Sequence, residues 1–453
     1  MIDNKKTQMP ELHSRFLNNI KSDNDGAKKD YENAVSYIKN STAVFSRGHL
    51  RFNCIPKIFD KIAYDHIDQS MQMLYSILDK AISQYLVDEK FRELFEFHKE
   101  LEDLIMLDSG YECKLPIARF DIFLNEQTLD FKFCELNADG ASAMNEDREL
   151  GNAWHDSDLW KKSLSDMTVK RFELFDSWVA SLDSLYNEYL KNRKKSRQAR
   201  PTLAIVDFLE IGTKSEFEVF RKAFEKAGFD AVVADIRKLK FKDGKLYDER
   251  GVVIDVIYRR AVTSECMQKI DSIPEFLKGV HADSACLVGH FRTQVIHDKN
   301  FFRILRLPYT KKLLNKEQND FVELHVPVTT RLNSGEYDYD EVVNNKDRWL
   351  IKPADRYGSQ GVATGGDYTK AEFKAIVDKN TNNDYVLQEY CPPYKTANAY
   401  YDHDGKVQID EYNNMTGIFY YTGKLAGLYA RQMTSRVTTK EDEGRVTGSI
   451  LVE

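Results

Sequence analysis

Apolar residues recur at three- and four-residue spacing through IFDKIAYDHIDQSMQMLYSILDKAISQYL and again through FRELFEFHKELEDLIML. This spacing predicts a helical region over about 11–107, closed by Gly110 and Pro116. The period then drops to two. ARFDIFLN and TLDFKFCELN both alternate apolar and polar positions around a polar turn at Asn125–Gln127, the pattern of a hairpin. A further helical stretch is predicted over about 158–192, running into the basic segment KNRKKSRQAR, read as a solvated helix end and linker. From Thr202 the texture becomes strand–helix–strand: TLAIVDF, SEFEVFRKAFEKA, AVVAD and VVIDVIYRR suit an open α/β sheet. A helical segment around 299–315 leads to a strand-rich region from Trp349 onward, with a glycine-rich stretch, the helix KAEFKAIVDK and the strand YVLQEY.

With 453 residues the chain is too long for one simple core, and two or three packed units are expected. Hydrophobic residues at 42% and charged residues at 30% fit a globular protein, and a net charge of -7 provides no basic surplus for nucleic acid. The polar start MIDNKKTQMPELHSR and the lack of any long apolar run predict neither a signal peptide nor a membrane span. The six cysteines form no CxxC pair, so reduced thiols in the cytoplasm are expected, with Cys134 a small apolar residue rather than a nucleophile.

Three constellations could carry chemistry. In the hairpin, Glu135 and Asn137 lie two apart and so share a face, and Arg119 and Asp121 likewise share one. Two carboxylates and a carboxamide are hard oxygen donors suited to Mg²⁺, and a cation beside them would stabilise charge on a transferring phosphoryl group. In LIKPADRYGSQGVATGGD, Lys352 ends an apolar strand and Gly358, Ser359, Gln360 and Gly361 form a turn whose backbone N–H groups can approach an anion. In YVLQEY, a strand ending at Gln388 and Glu389 could meet an adenine edge and ribose hydroxyls. Each also reads as an ordinary hairpin or strand end.

Together, and in this order, ARFDIFL, FKFCELNADGAS, IHDKNFF, LIKPADRYGSQGV, YVLQEY and GLYAR resemble the glutathionylspermidine synthase family, whose ATP-grasp fold is circularly permuted. The resemblance spans about 116–435. It implies an α/β (α+β) class with a permuted ATP-grasp core, an N-terminal helical region and a small open α/β domain of pre-ATP-grasp type. The implied division is 1–115 helical, 116–200 acidic hairpin plus helices, 201–297 substrate side and 298–453 nucleotide side. It implies ATP with two Mg²⁺ ions as cofactors. By matching positions, Asp121, Glu135 and Asn137 are metal ligands, and Lys299 and Lys352 contact phosphates. Gly358–Gly361 is a mobile flap, Gln388 and Glu389 line the adenine, Arg119 steadies the acyl phosphate and Arg431 lies near the γ-phosphate.

The chain departs from the family's ending, an I-T-G-N-x-S-R-F-V-P-H-like run, with SRVTTKEDEGRVTGSILVE, and no amidase domain precedes the synthetase part. Both departures bear on glutathione and spermidine as substrates. Arg259 and Arg260, in VIYRR, are candidates to bind a substrate carboxylate, since guanidinium forks suit that group. Glu411 and Asn413 form a second E-x-N pair, set behind Glu135 and Asn137 because it lacks a preceding R-x-D. The expected activity is amide formation through an acyl phosphate. The alternatives are a catalytically silent nucleotide binder and a small-molecule kinase. The expected partners are small-molecule carboxylates and amines, neither nucleic acid nor membrane, with a homodimer left open.

Overall fold

The computed structural model describes residues 6–45, 48–210, 212–356, 358, 360–436 and 444–453. The predicted hairpin is present as the strands Ile117–Leu124 and Phe131–Asn137, paired antiparallel. Its turn closes because the Asn125 side-chain oxygen accepts from the backbone of Gln127 at 2.9 Å and of Thr128 at 3.2 Å. The hairpin does not stand alone. The Ile117–Leu124 strand also pairs with the long strand Val407–Tyr421, which continues to Lys424–Met433 and Arg445–Thr447.

Alternation along the central strand feeds two cores. Ala118, Phe120, Ile122 and Leu124 pack with Ile418 and Tyr420 against the long helix Lys61–Val87, through Ile67, Met71, Leu74 and Leu78. On the other face, Ile117 packs with Met415, Phe419, Tyr421 and Tyr429 in a core that also takes Leu12, Phe16 and Tyr31 from the first two helices, Met9–Ser22 and Asn24–Lys39. That second face also carries Arg119 and Asp121, by the same period of two.

The α/β texture after Thr202 folds as a parallel sheet in the order Cys286–Val288, Val256–Arg259, Thr202–Asp207, Asp230–Asp235. A smaller antiparallel sheet has the order Thr329–Arg331, Tyr385–Glu389, Trp349–Pro353, Ala363–Thr364. Its core is compact, with Ile351 and Leu387 set against Phe373 and Val377 of the helix Lys370–Asn380. That helix starts with a full capping box, Thr369 and Glu372 exchanging side-chain and backbone hydrogen bonds.

Two helical predictions are interrupted. The strand Lys57–Asp60 divides the 11–107 region, and Val169–Arg171 divides 158–192 into helices Asp158–Ser163 and Asp176–Asn192. Both short strands flank Ser449–Val452 at the far end of the chain. Helical periodicity within a window carries no record of so distant a partner. All six cysteines are free thiols. No helix among the described residues is long and apolar enough to cross a membrane.

One buried acid near the Lys299 segment has a measurable consequence. Burial, with Asp355 and Asp384 nearby, pushes the Asp298 carboxyl up to about 8. In the unfolded chain this group ionises near its ordinary 3.8, so it lowers stability progressively as pH rises from about 4 to about 8. Asp298→Asn is therefore expected to gain stability relative to the parent protein between pH 5 and pH 8, read as diverging urea midpoints. Parallel midpoints across that range are the contrary result.

Candidate active site

The site grows from the hairpin register. Arg119 stands opposite Asn137, and Asp121 opposite Glu135, so all four side chains share one face. Asp121 is fully buried, and the Arg119 guanidinium grips it with both prongs, Nε to Oδ1 at 2.7 Å and a terminal nitrogen to Oδ2 at 2.8 Å. The remaining terminal nitrogen of Arg119 donates to the Ser142 carbonyl at 2.8 Å. The Asn137 amide nitrogen donates to Asp121 at 3.0 Å and to Glu135 at 3.2 Å. On the neighbouring strand the residue paired with Asp121 is Gly417. A Cβ there would come within 2.9 Å of Arg119 Cδ and 3.1 Å of Asp121 Oδ1, so the ion pair occupies space that only glycine leaves open.

The small sheet brings the second half. Ile351 and Leu387 point into their own core, which turns Lys352 and Gln388 outward on the opposite face. The Lys352 ammonium reaches the hairpin and donates to the Cys134 carbonyl at 3.0 Å. Lys299 lies 4.0 Å from the Glu135 carboxylate and donates to the Arg356 carbonyl of the glycine-bearing turn at 2.6 Å. Between these parts lies a cleft of about 720 Å³, counting its open mouth. Glu135, Lys299, Lys352, Gln360, Gln388 and Glu389 all line it.

Electrostatics follow from this crowding. Burial opposes the Glu135 charge, but Lys299, Lys352, Arg119 and the Asn137 amide together outweigh it and hold the carboxyl down to about 2. Burial pushes the Asp121 carboxyl above its ordinary value despite the Arg119 fork. Burial also pulls Lys352 below the usual lysine range. The Cys134 thiol, pushed up to about 12 by burial, is unsuited to nucleophilic work at neutral pH.

Other expected residues fall around this centre. Gly358 and Gly361 both adopt left-handed φ, at 65° and 77°, and a Cβ on Gly361 would meet the Tyr385 hydroxyl at 2.6 Å. Ser359 lies outside the described residues. Gln388 is buried and donates to Thr329 at 2.9 Å, while Glu389 accepts from the Val328 backbone at 3.3 Å. Arg431 lies along the face from Arg119, and the two guanidiniums each sit 5.7 Å from the Tyr429 ring centroid. Asn413, four residues along the strand from Gly417, spends its amide on the Ser435 carbonyl at 2.7 Å, and Glu411, six residues from Gly417, is exposed.

The cleft does not include Arg259 or Arg260. Arg259 is buried, paired with Asp139 at 2.9 Å and stacked on Phe291. Arg260 pairs with Glu216 at 3.2 Å and donates to the Ala141 carbonyl. Both brace the loop that follows Asn137, an arrangement that exposed strand-end arginines could not make. Residues the sequence reading passed over also line the cleft: Arg356, Thr364, Tyr390, Cys391 and Arg436. Arg356, Tyr390 and Cys391 lie inside or beside motifs already singled out. Arg436 carries no such signal; it lies three residues beyond the strand Lys424–Met433, its guanidinium 3.6 Å from Asp367.

No protein-family model matches the chain, and no curated protein matches it. Among solved structures, a glutathione synthetase-like effector (GSS30) from Globodera pallida, in apo form, superposes with a TM-score of 0.61. It shares 12% identity over 94% of this chain and 96% of the other. A gamma-glutamylcysteine synthetase-like protein from Methylobacillus flagellatus follows at TM-score 0.40, with 10% identity over 80% of this chain and 82% of that one. D-alanyl-alanine synthetase A from Vibrio cholerae gives 0.28, with 11% identity over 56% and 89%. The chain therefore has the fold of the Globodera effector; the other two likenesses are too weak to add to that.

Proposed function

We propose that this chain is an ATP- and Mg²⁺-dependent carboxylate–amine ligase of the ATP-grasp type, joining an acid to an amine through an acyl phosphate. Its proposed fold order is the permuted one of the glutathionylspermidine synthase-like family, in which the acidic hairpin precedes the lysine strand in the chain. The observation that carries this reading is the meeting of the two halves: Lys352 touches the hairpin at Cys134, and Lys299 stands beside Glu135, around one cleft.

The donor set suits Mg²⁺. Asp121 and Glu135 offer carboxylate oxygens, and Asn137, whose amide nitrogen donates to both, offers its carbonyl oxygen. These three residues would hold the metal, which when bound neutralises phosphate charge. Lys299 and Lys352 face the same space as fixed cations for a triphosphate, with the turn at Gly358–Gly361 as its cover and the strand end at Gln388 and Glu389 for the nucleoside. The substrate carboxylate must approach an anionic γ-phosphate, and Arg119 and Arg431 supply the charge that offsets this repulsion. The carboxylate oxygen attacks the γ-phosphorus and ADP departs. The amine then displaces phosphate from the acyl carbon.

Incubation with ATP, Mg²⁺ and pooled amino acids and polyamines is expected to release ADP only when both an acid and an amine are present, with an amide detected by mass spectrometry. A stable phosphoester product would instead make the protein a small-molecule kinase. Nucleotide binding without ADP release from any pool would leave a silent nucleotide-binding protein.

A further inference from the structure

The helix that follows the Arg119-bound loop carries a group that the chemistry above does not use. Glu146 lies in the first turn of the helix Met144–Trp154. The loop feeding that helix contains Ser142, whose carbonyl accepts from Arg119. The helix start is held firmly, because one Glu216 oxygen accepts from the backbone of Ala143, Met144 and Asn145 at 3.1, 3.0 and 3.2 Å. Glu146 is thus presented by a fixed backbone. The charges of Arg431 and Arg119, and the Tyr429 hydroxyl, act on its carboxylate. Its Oε2 is buried with no hydrogen-bond partner among the described residues. Leaving such an oxygen unpaired is costly, so a native fold that keeps one calls for a reason. A substrate carboxylate drawn to Arg119 and Arg431 would lie beside the two guanidiniums that also act on Glu146.

We propose that Glu146 is the catalytic residue that receives the amine substrate as its ammonium ion and takes one proton from it before attack; this rests on the ligase reading above. The proton passes from R–NH₃⁺ to the Glu146 carboxylate, giving R–NH₂ and a neutral acid. The nitrogen lone pair forms the C–N bond at the acyl phosphate carbonyl. The C–O bond to phosphate breaks with its electron pair on the leaving oxygen, and the surplus N–H proton goes to the departing phosphate. Burial pushes the Glu146 carboxyl up to about 7, with Glu216 adding to the effect and Arg431 and Arg119 opposing it, which matches a proton acceptor working near neutrality. The acceptor class is therefore a primary amine that arrives protonated.

Hydroxylamine separates this role from a structural one, because it is neutral at pH 7 and needs no proton acceptor to attack an acyl phosphate. The test supplies ATP, Mg²⁺ and a pool of amino acids as carboxylates, with either hydroxylamine or polyamines as nucleophile. Glu146→Gln is expected to lower amide formation about 100-fold while hydroxamate formation stays close to that of the parent protein, and Glu146→Asp is expected to recover part of the amide formation. Unchanged amide formation in Glu146→Gln overturns the proposal. So does equal loss of both products in Glu146→Gln with an unchanged melting temperature. Failure of the parent protein to form any hydroxamate from the pool is a separate outcome: it removes the ligase reading and this proposal with it.

Discussion

Glu135→Gln is expected to lower ATP-dependent turnover by about 10³-fold, with the protein still folded. Glu135 is the carboxylate that both halves of the site address, facing Lys299 at 4.0 Å and sharing the Asn137 amide with Asp121. Glutamine keeps its shape and removes its charge. The substitution also has a stability signature. The folded carboxyl lies near 2, below its ordinary 4.5, so its contribution is fully present above about pH 4.5 and is lost as pH falls toward 2. The side chain is 27% exposed, and solvent screening reduces the effect to about 2 kcal/mol. Denaturation curves of parent and variant should therefore differ at pH 7 and converge on acidification, and turnover should be lost at every pH. Retained turnover at pH 7 would falsify the placement of the metal at this carboxylate.

Arg119→Met should unfold far more easily than the parent, by about 3–5 kcal/mol, because it strands the Asp121 carboxylate in a buried place without its partner. Asp121 can escape only by taking up a proton, a shift that burial already favours. The double variant Arg119→Met/Asp121→Leu removes both charges, and most of the lost stability should return. Both variants should be inactive, which separates the two roles of the pair: urea midpoints follow the buried charge, and ADP release follows the phosphoryl chemistry. Equal midpoints for the single and double variants would show that Asp121 relaxes without help from Arg119.

Much of this site was readable from local pattern. Alternation in ARFDIFLN and FKFCELN put Arg119 and Asp121 on one face and Glu135 and Asn137 on one face, and the observed register joins those faces. A lysine ending an apolar strand before Gly358 and Gly361 pointed to the small sheet. Arg259 and Arg260 gave the same kind of local signal, but they do not line the cleft. A strand-end guanidinium looks alike whether it faces solvent or an inward carboxylate, and here Asp139 and Glu216, far along the chain, decide the matter. Glu146 and Arg436 carried no local signal, since neither belongs to a periodic run that points toward the cleft.

The sequence by itself determined the hairpin, its shared polar faces, the lysine strand with its glycine turn, and the α/β texture after Thr202. These depend on side chains a few residues apart, where backbone period alone sets direction. The tertiary structure alone decided that the long strand Val407–Tyr421 lies beside the hairpin with Gly417 against Asp121, that Lys352 reaches Cys134, and that Lys57–Asp60 and Val169–Arg171 become strands beside the chain's last residues. Those pairings join segments hundreds of positions apart, and they are selected by how whole faces bury together, a quantity that no short window of sequence contains.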